Sequence, residues 1–172
     1  AGAEIAAITA NTEHIVWDMI CDRFPLPVIS IVDATVNEIK RLGYKRILVF
    51  GTAFTLRSGL YENALEKNGI AAIVPSEEDI SIIGNLIYPN LENGIVIPED
   101  KKKLIALAEK YIAEENADAY IASDSSVLGC NMFAYCGNNC CKVIVCKNHI
   151  CNILCNVCTG NTHTDTDVGT LD

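Results

Sequence analysis

The 172-residue chain is half hydrophobic, carries a formal net charge of −9 and has its 13 lysines and arginines scattered. That balance argues against nucleic acid as a partner, because phosphate binding needs clustered cations. No apolar run approaches the roughly 18 residues of a membrane span, and no basic leader precedes a signal-like segment. The expectation is a cytoplasmic protein with no membrane partner, built as one domain or two small lobes around a sizeable core.

In chain order, residues 4–8 read as a strand buried on both faces. The polar turn Thr9-Ala10-Asn11-Thr12-Glu13 follows, and after it Ile15, Val16, Met19 and Ile20 recur at helical spacing, with Asn11 or Thr12 as the cap. A strand running into small polar residues and then a helix start is the usual anion pocket of open α/β sheets; a plain capping turn is the competing reading. Pro25 and Pro27 end this helix, and residues 28–31 form a short strand or extended linker. A second helix is predicted with Asp33 as its cap, Val36, Ile39 and Leu42 as its buried stripe and Gly43 as its stop.

Residues 46–50 are a buried strand that runs into Gly51-Thr52-Ala53-Phe54-Thr55, followed by one helix marked by Leu56, Leu60 and Leu65 and closed at Asn68-Gly69. Strand, polar turn and helix thus occur twice. Residues 71–74 make a further strand, Ser76 opens an acid-led helix carrying Ile80, Ile83 and Ile87, and Pro89 ends it near Tyr88. Pro98 starts another helix that buries Leu104, Leu107, Ala108, Tyr111 and Ile112 and turns Lys101, Lys102 and Lys103 to solvent, and residues 119–122 are a strand. The alternation predicts an α/β fold of mostly parallel sheets flanked by helices, with right-handed crossovers.

The nine cysteines are placed unevenly: Cys21 stands alone and the other eight crowd residues 130–158. In a chain read as cytoplasmic, free thiols or a metal are favoured over a disulfide framework. Residues 142–145 read as a last strand, and Ile150, Ile153, Leu154 and Val157 fit a closing helix on which Cys151, Cys155 and Cys158 share a face. Such a face binds zinc with His149 or His163, but Cys155-Asn156-Val157-Cys158 lacks a second paired knuckle, so no metal site is assigned. Residues 159–172 read as a disordered polar tail.

Several motifs, in order, carry a resemblance over residues 1–122. They are Asn11-Thr12-Glu13-His14, Ile31-Val32-Asp33-Ala34-Thr35, Gly51-Thr52-Ala53-Phe54-Thr55 with Ser58-Gly59-Leu60-Tyr61, then Val74-Pro75, Asn93-Gly94-Ile95 and Ala117-Asp118-Ala119. Together they resemble the aspartate/glutamate racemase family, the cofactor-independent amino-acid racemases. The resemblance implies two pseudo-symmetric α/β lobes with a small acidic amino acid bound between them, and inversion at its α-carbon without PLP or metal. It implies that two cysteines on opposite faces exchange the α-proton, which is so weakly acidic that hydrogen-bond donors must stabilise the developing enediolate. By the same likeness Asn11, Thr12, Thr52 and Thr55 hold the carboxylates and amine.

Two departures qualify the likeness. Ala10 stands where the family has its first cysteine. The second cysteine falls on Asp124 in an ungapped register, and on Cys130, in Val127-Leu128-Gly129-Cys130-Asn131, with a short insertion; only Cys130 offers a proton-carrying thiol. The first lobe is expected to be incomplete, formed by residues 1–42 and rejoined by 142–158, with residues 43–141 as the second lobe and an uncovered sheet edge that invites a homodimer. A non-catalytic carboxylate-binding or interaction module is the alternative function.

Overall fold

Residues 2–8, 10–90, 93, 95–122, 144–147 and 150–153 are described in the computed structural model, the last two stretches by backbone alone. An interior strand of the main sheet is β3, Arg46–Phe50, in which Ile47, Leu48, Val49 and Phe50 are buried in succession. Neighbouring side chains on a strand point to opposite faces, so four consecutive buried residues require cover on both sides of the sheet. The strand β4, Ala71–Ile73, lies parallel on one edge of β3, and β5, Ala119–Ala122, lies parallel on the other. The sheet continues through β6, Ile144–Lys147, and β7, Ile150–Ile153, both antiparallel, to give the order β4-β3-β5-β6-β7. A separate parallel pair joins β1, Ala6–Ala7, to β2, Val28–Ile29.

The register of β5 on β3 begins at a carboxylate. Asp118 accepts from the backbone N–H groups of Lys45 and Arg46 at 2.7 and 3.0 Å, and its own N–H donates to the Arg46 carbonyl at 2.8 Å. The Asp118 side chain thus takes the first two donors where the ladder starts, and a one-residue slip would forfeit both bonds.

Between β2 and β3 runs α2, Ile31–Leu42, capped by Ser30, whose hydroxyl accepts from Asp33 N–H at 3.2 Å. The predicted cap was Asp33; the observed helix starts two residues before it, and Asp33 instead places its charge in the first turn. Gly43 stops the helix at φ 76°, with Tyr44 N–H donating to the Ile39 carbonyl, so a left-handed residue closes this end as the sequence predicted.

After β3 the predicted single helix is two: α3, Ala53–Arg57, and α4, Leu60–Lys67. Gly59, at φ 68°, breaks them, and Leu60 and Leu65 thereby fall on a new axis. Next come α5, Glu77–Ile87, and α6, Pro98–Glu115, which starts at its proline as predicted. Ile39, Leu65, Ile83, Ile87 and Leu104 join β3 and β5 in one core, each such side chain contributing about 1.5–3 kcal/mol of burial. The α5 start is tied to α6: Tyr111 donates its hydroxyl to Asp79 Oδ2 at 2.7 Å and accepts from Ser76 N–H at 2.6 Å, while Lys110 Nζ reaches Asp79 at 3.2 Å.

Two further expectations are corrected. The amphipathic helix after Glu13 is instead a 3-10 turn over Thr12–Val16 and a single α turn, α1, at Trp17–Ile20, with Met19 77% exposed and Val16 and Ile20 also at the surface. The buried residue of that turn is His14, whose ring bonds the Ala10 carbonyl and the Ile31 N–H. Over Ile150–Ile153 the predicted closing helix is instead a strand antiparallel to β6, and β6 in turn lies antiparallel to β5. A short apolar run is ambiguous in period, and the buried edge of β5 needs a hydrogen-bonding neighbour. Leu154, Val157 and the predicted tail lie outside the described residues.

Candidate functional site

The turn after β1 is tightly bound. His14 Nδ1 is 2.9 Å from the Ala10 carbonyl, and the Ile31 backbone N–H donates to His14 Nε2 at 3.1 Å. A backbone N–H can only donate and a carbonyl can only accept, so the ring is the neutral form with its proton on Nδ1. His14 thus joins the turn to the first residue of α2. It is a backbone cross-brace.

Asn11 is buried beside it and does not cap the turn with its side chain; its Oδ1 accepts from the Tyr61 hydroxyl at 2.5 Å. Tyr61 sits on α4 at 1% exposure, and burial pushes its phenol far above the usual range against a smaller lowering from the Thr35 hydroxyl. It is therefore a neutral hydrogen-bonding group throughout the physiological range. Thr35 spends its one hydroxyl proton on the Ile31 carbonyl at 2.7 Å, within α2, the helix that packs on α4.

The second loop leaves β3 at Gly51. Thr52 caps α3: its Oγ1 accepts from Thr55 N–H at 3.3 Å and lies 3.0 Å from Thr55 Oγ1. One hydroxyl must donate to the other, so the pair retains one proton for a ligand acceptor. Capping is thus a real duty of Thr52, and it coexists with an adjacent polar pair at the carboxyl end of a strand. Thr55 is buried and Thr52 half-buried.

Of the residues singled out by sequence, Thr52 and Thr55 touch each other, Asn11 touches Tyr61, and Thr12 is exposed on the turn next to Asn11. The two groups are linked along the chain: Ser58 Oγ donates to the Thr55 carbonyl at 2.7 Å and accepts from Leu60 N–H at 3.3 Å, one residue before Tyr61. Ala10 is half-buried, and its carbonyl serves His14. Asp124 and Cys130 lie outside the described residues. Sequence reasoning assigned no role to His14, Thr35 or Tyr61, although all three stand within the motifs that carry the resemblance. A polar residue among apolar neighbours on a buried helix face was the available signal for Thr35 and Tyr61.

The profile of the family described as Asp/Glu/Hydantoin racemase matches residues 1–131. The chain belongs to this racemase family. Glutamate racemase of Aquifex aeolicus is 28% identical over 134 residues, covering 77% of this chain and 47% of that protein. A broad-specificity amino-acid racemase of Bacillus subtilis is 32% identical over 68 residues, covering 40% of the chain and 30% of that protein. Among solved structures, an aspartate racemase homologue from Pyrococcus horikoshii is 31% identical with a TM-score of 0.66, covering 73% of this chain and 55% of that one. A putative Asp/Glu racemase from Yersinia pestis gives 31% and 0.67 over the same shares. The chain spans about half the length of the relatives it matches. Their common α/β fold, with parallel strands flanked by helices, is the one described above. No helix among the described residues is long and apolar enough to cross a membrane.

Proposed function

We propose that this racemase-family chain is a cytoplasmic enzyme that acts on the α-carbon of a small acidic amino acid without PLP or metal. The observation that carries the reading is the pair of polar loops: Thr52 and Thr55 in mutual contact after β3, and a buried Asn11 after β1 whose amide is held by Tyr61. Hydroxyl and amide donors at strand ends suit a carboxylate, and stabilising a carboxylate as it becomes an enediolate is the main electrostatic demand of α-proton removal. In this reading Asn11, Thr12, Thr52 and Thr55 hold the substrate and the Cys130 thiolate takes the proton.

Ala10 gives the reading a particular consequence. An alanine has no proton to give, so a single thiol would remove and return the proton on one face of the carbanion. Exchange should then outrun inversion, and deuterium should enter one enantiomer of aspartate or glutamate faster than the other enantiomer forms. Nuclear magnetic resonance of both enantiomers in heavy water measures this directly. Cys130→Ser should abolish the exchange; exchange that survives it would remove Cys130 as the base.

The same Ala10 favours a second reading, a carboxylate-binding module without turnover. Calorimetry with the same acids separates the two, since affinity without exchange supports the module. Pairing of two chains is the partner reading, favoured by the exposed Met19, Ile20 and Phe24, and sedimentation tests it.

A further inference from the structure

The turn that closes α4 carries an Asn–Gly pair, Asn68-Gly69, which is prone to deamidation because a glycine has no side chain to hinder its nitrogen. Gly69 stands at φ 70° and its N–H donates to the Glu66 carbonyl at 2.9 Å, while the Ile70 N–H reaches back to the Leu65 carbonyl at 3.0 Å. This is a Schellman closure, in which a left-handed residue past the helix end returns two N–H groups to the last turn. Leu65 and Ile70 are both buried, so the closure is pinned from the core side. The Asn68 carboxamide is held at both ends as well: its Nδ2 donates to the Ala64 carbonyl at 2.9 Å, and its Oδ1 accepts from Lys40 Nζ, on α2, at 3.1 Å.

We infer that Asn68 is a conditional modification site, a deamidation site that the closed turn protects and that any opening of the α4 end exposes. Deamidation begins when the Gly69 nitrogen, its proton lost to hydroxide, attacks Asn68 Cγ. A new N–C bond forms, the Cγ–Nδ2 bond breaks, and Nδ2 takes up a proton from water and leaves as ammonia. Water then opens the resulting succinimide at either carbonyl, leaving aspartate or isoaspartate at position 68. In the closed turn the Gly69 proton lies on the Glu66 carbonyl and the carboxamide is clasped by Ala64 and Lys40, so nucleophile and electrophile are both withheld. Asn68 is nevertheless exposed, so water and hydroxide meet it once those bonds part. The two products act differently on the fold. Aspartate keeps the backbone length and sets a carboxylate beside Lys40. Isoaspartate adds a carbon to the main chain just before β4, where Ala71 N–H donates to the Lys45 carbonyl at 2.8 Å, so the α4 closure and the first bond of β4 no longer fit together. None of this depends on the racemase reading.

The test uses the full, unsubstituted chain in mildly alkaline buffer, once folded and once unfolded in urea, with conversion of Asn68 to the acid followed by mass spectrometry of its peptide. The folded chain should convert at least about ten-fold more slowly, the effect of a local opening that costs about 1.4 kcal/mol. Hydrogen exchange of the Gly69 amide, measured by nuclear magnetic resonance on the folded chain, locates that opening. The event that frees this proton also frees the nitrogen, and the carboxamide must then turn toward it, so conversion should be slowed at least as much as the amide is protected. Equal conversion in the folded and unfolded chain, an unprotected Gly69 amide, or a slowing smaller than that protection would each overturn the inference.

Discussion

Replacing Tyr111 by Phe removes a single oxygen that closes two bonds at the start of α5. It donates to the Asp79 carboxylate at 2.7 Å and accepts from Ser76 N–H at 2.6 Å, and neither Asp79 nor Tyr111 is more than 9% exposed. Water has little access to replace it. A hydrogen bond to a charged group contributes about 1.5–3 kcal/mol and a neutral one about 1, so the variant should lose about 2–4 kcal/mol. The aromatic ring remains, so packing on α6 and the contact of Lys110 with the ring face are retained. With a urea dependence of about 2 kcal/mol per molar for a domain of this size, the unfolding midpoint should fall by about 1–2 M.

The pH dependence gives that prediction a second edge. The Tyr111 hydroxyl, most of all, holds the Asp79 carboxyl below its usual range; burial opposes it and Lys110 assists. A depressed carboxylate contributes stability in full above its unfolded value near 3.8 and loses it as the pH falls through the folded value. The gap between the two proteins should therefore hold from neutral pH to about pH 5 and narrow below pH 3.8. A midpoint shift under about 0.3 M at neutral pH, or a gap that ignores acid, would refute the account of this clamp. Lys110 is half exposed, and solvent screens its part.

Three other outcomes follow from features already described. Thr52→Ala should cost about 1 kcal/mol through loss of the α3 cap and also weaken acid binding, whereas Thr52→Ser should restore stability; calorimetry and thermal melts separate the two effects. Gly59→Ala should destabilise by about 1–2 kcal/mol, because the residue sits at φ 68° and a Cβ would lie 3.0 Å from Asn63 Nδ2. Ile83→Ala, in a fully buried position, should cost about 2–5 kcal/mol in urea unfolding, with the exposed Lys102→Ala as a surface control near zero.

What could be read from the sequence was what depends on local period and end chemistry. Residues 46–50 and 119–122 were legible as strands because unbroken apolar runs bounded by polar turns have few other uses, α2 and α5 because stripe and terminator agreed, and α6 because its stripe follows a starting proline. The break at Gly59 was not legible, since Leu56, Leu60 and Leu65 keep a helical rhythm across it. Nor was the exposure of Met19, beside a turn whose buried residue, His14, bonds backbone groups far apart in the chain. At the site, Thr52 and Thr55 were singled out by the family resemblance, and their mutual contact follows from three residues of separation at a helix start, whereas the contact of Tyr61 with Asn11 was not legible because it is set only by tertiary packing.

The placement of β3 between β4 and β5 also bears on how the chain is made. Ile47 pairs with Ala119, so one flank of the most apolar strand waits for some seventy later residues before its partner exists. At ordinary synthesis speeds of about 5–20 residues per second, that interval is about 4–14 s, ample time for an unpaired strand to meet another polypeptide. The nascent β3–α3–α4–β4 unit is thus where a holding chaperone would act, and starving the cell of it should send newly made chains, more than finished ones, into aggregates.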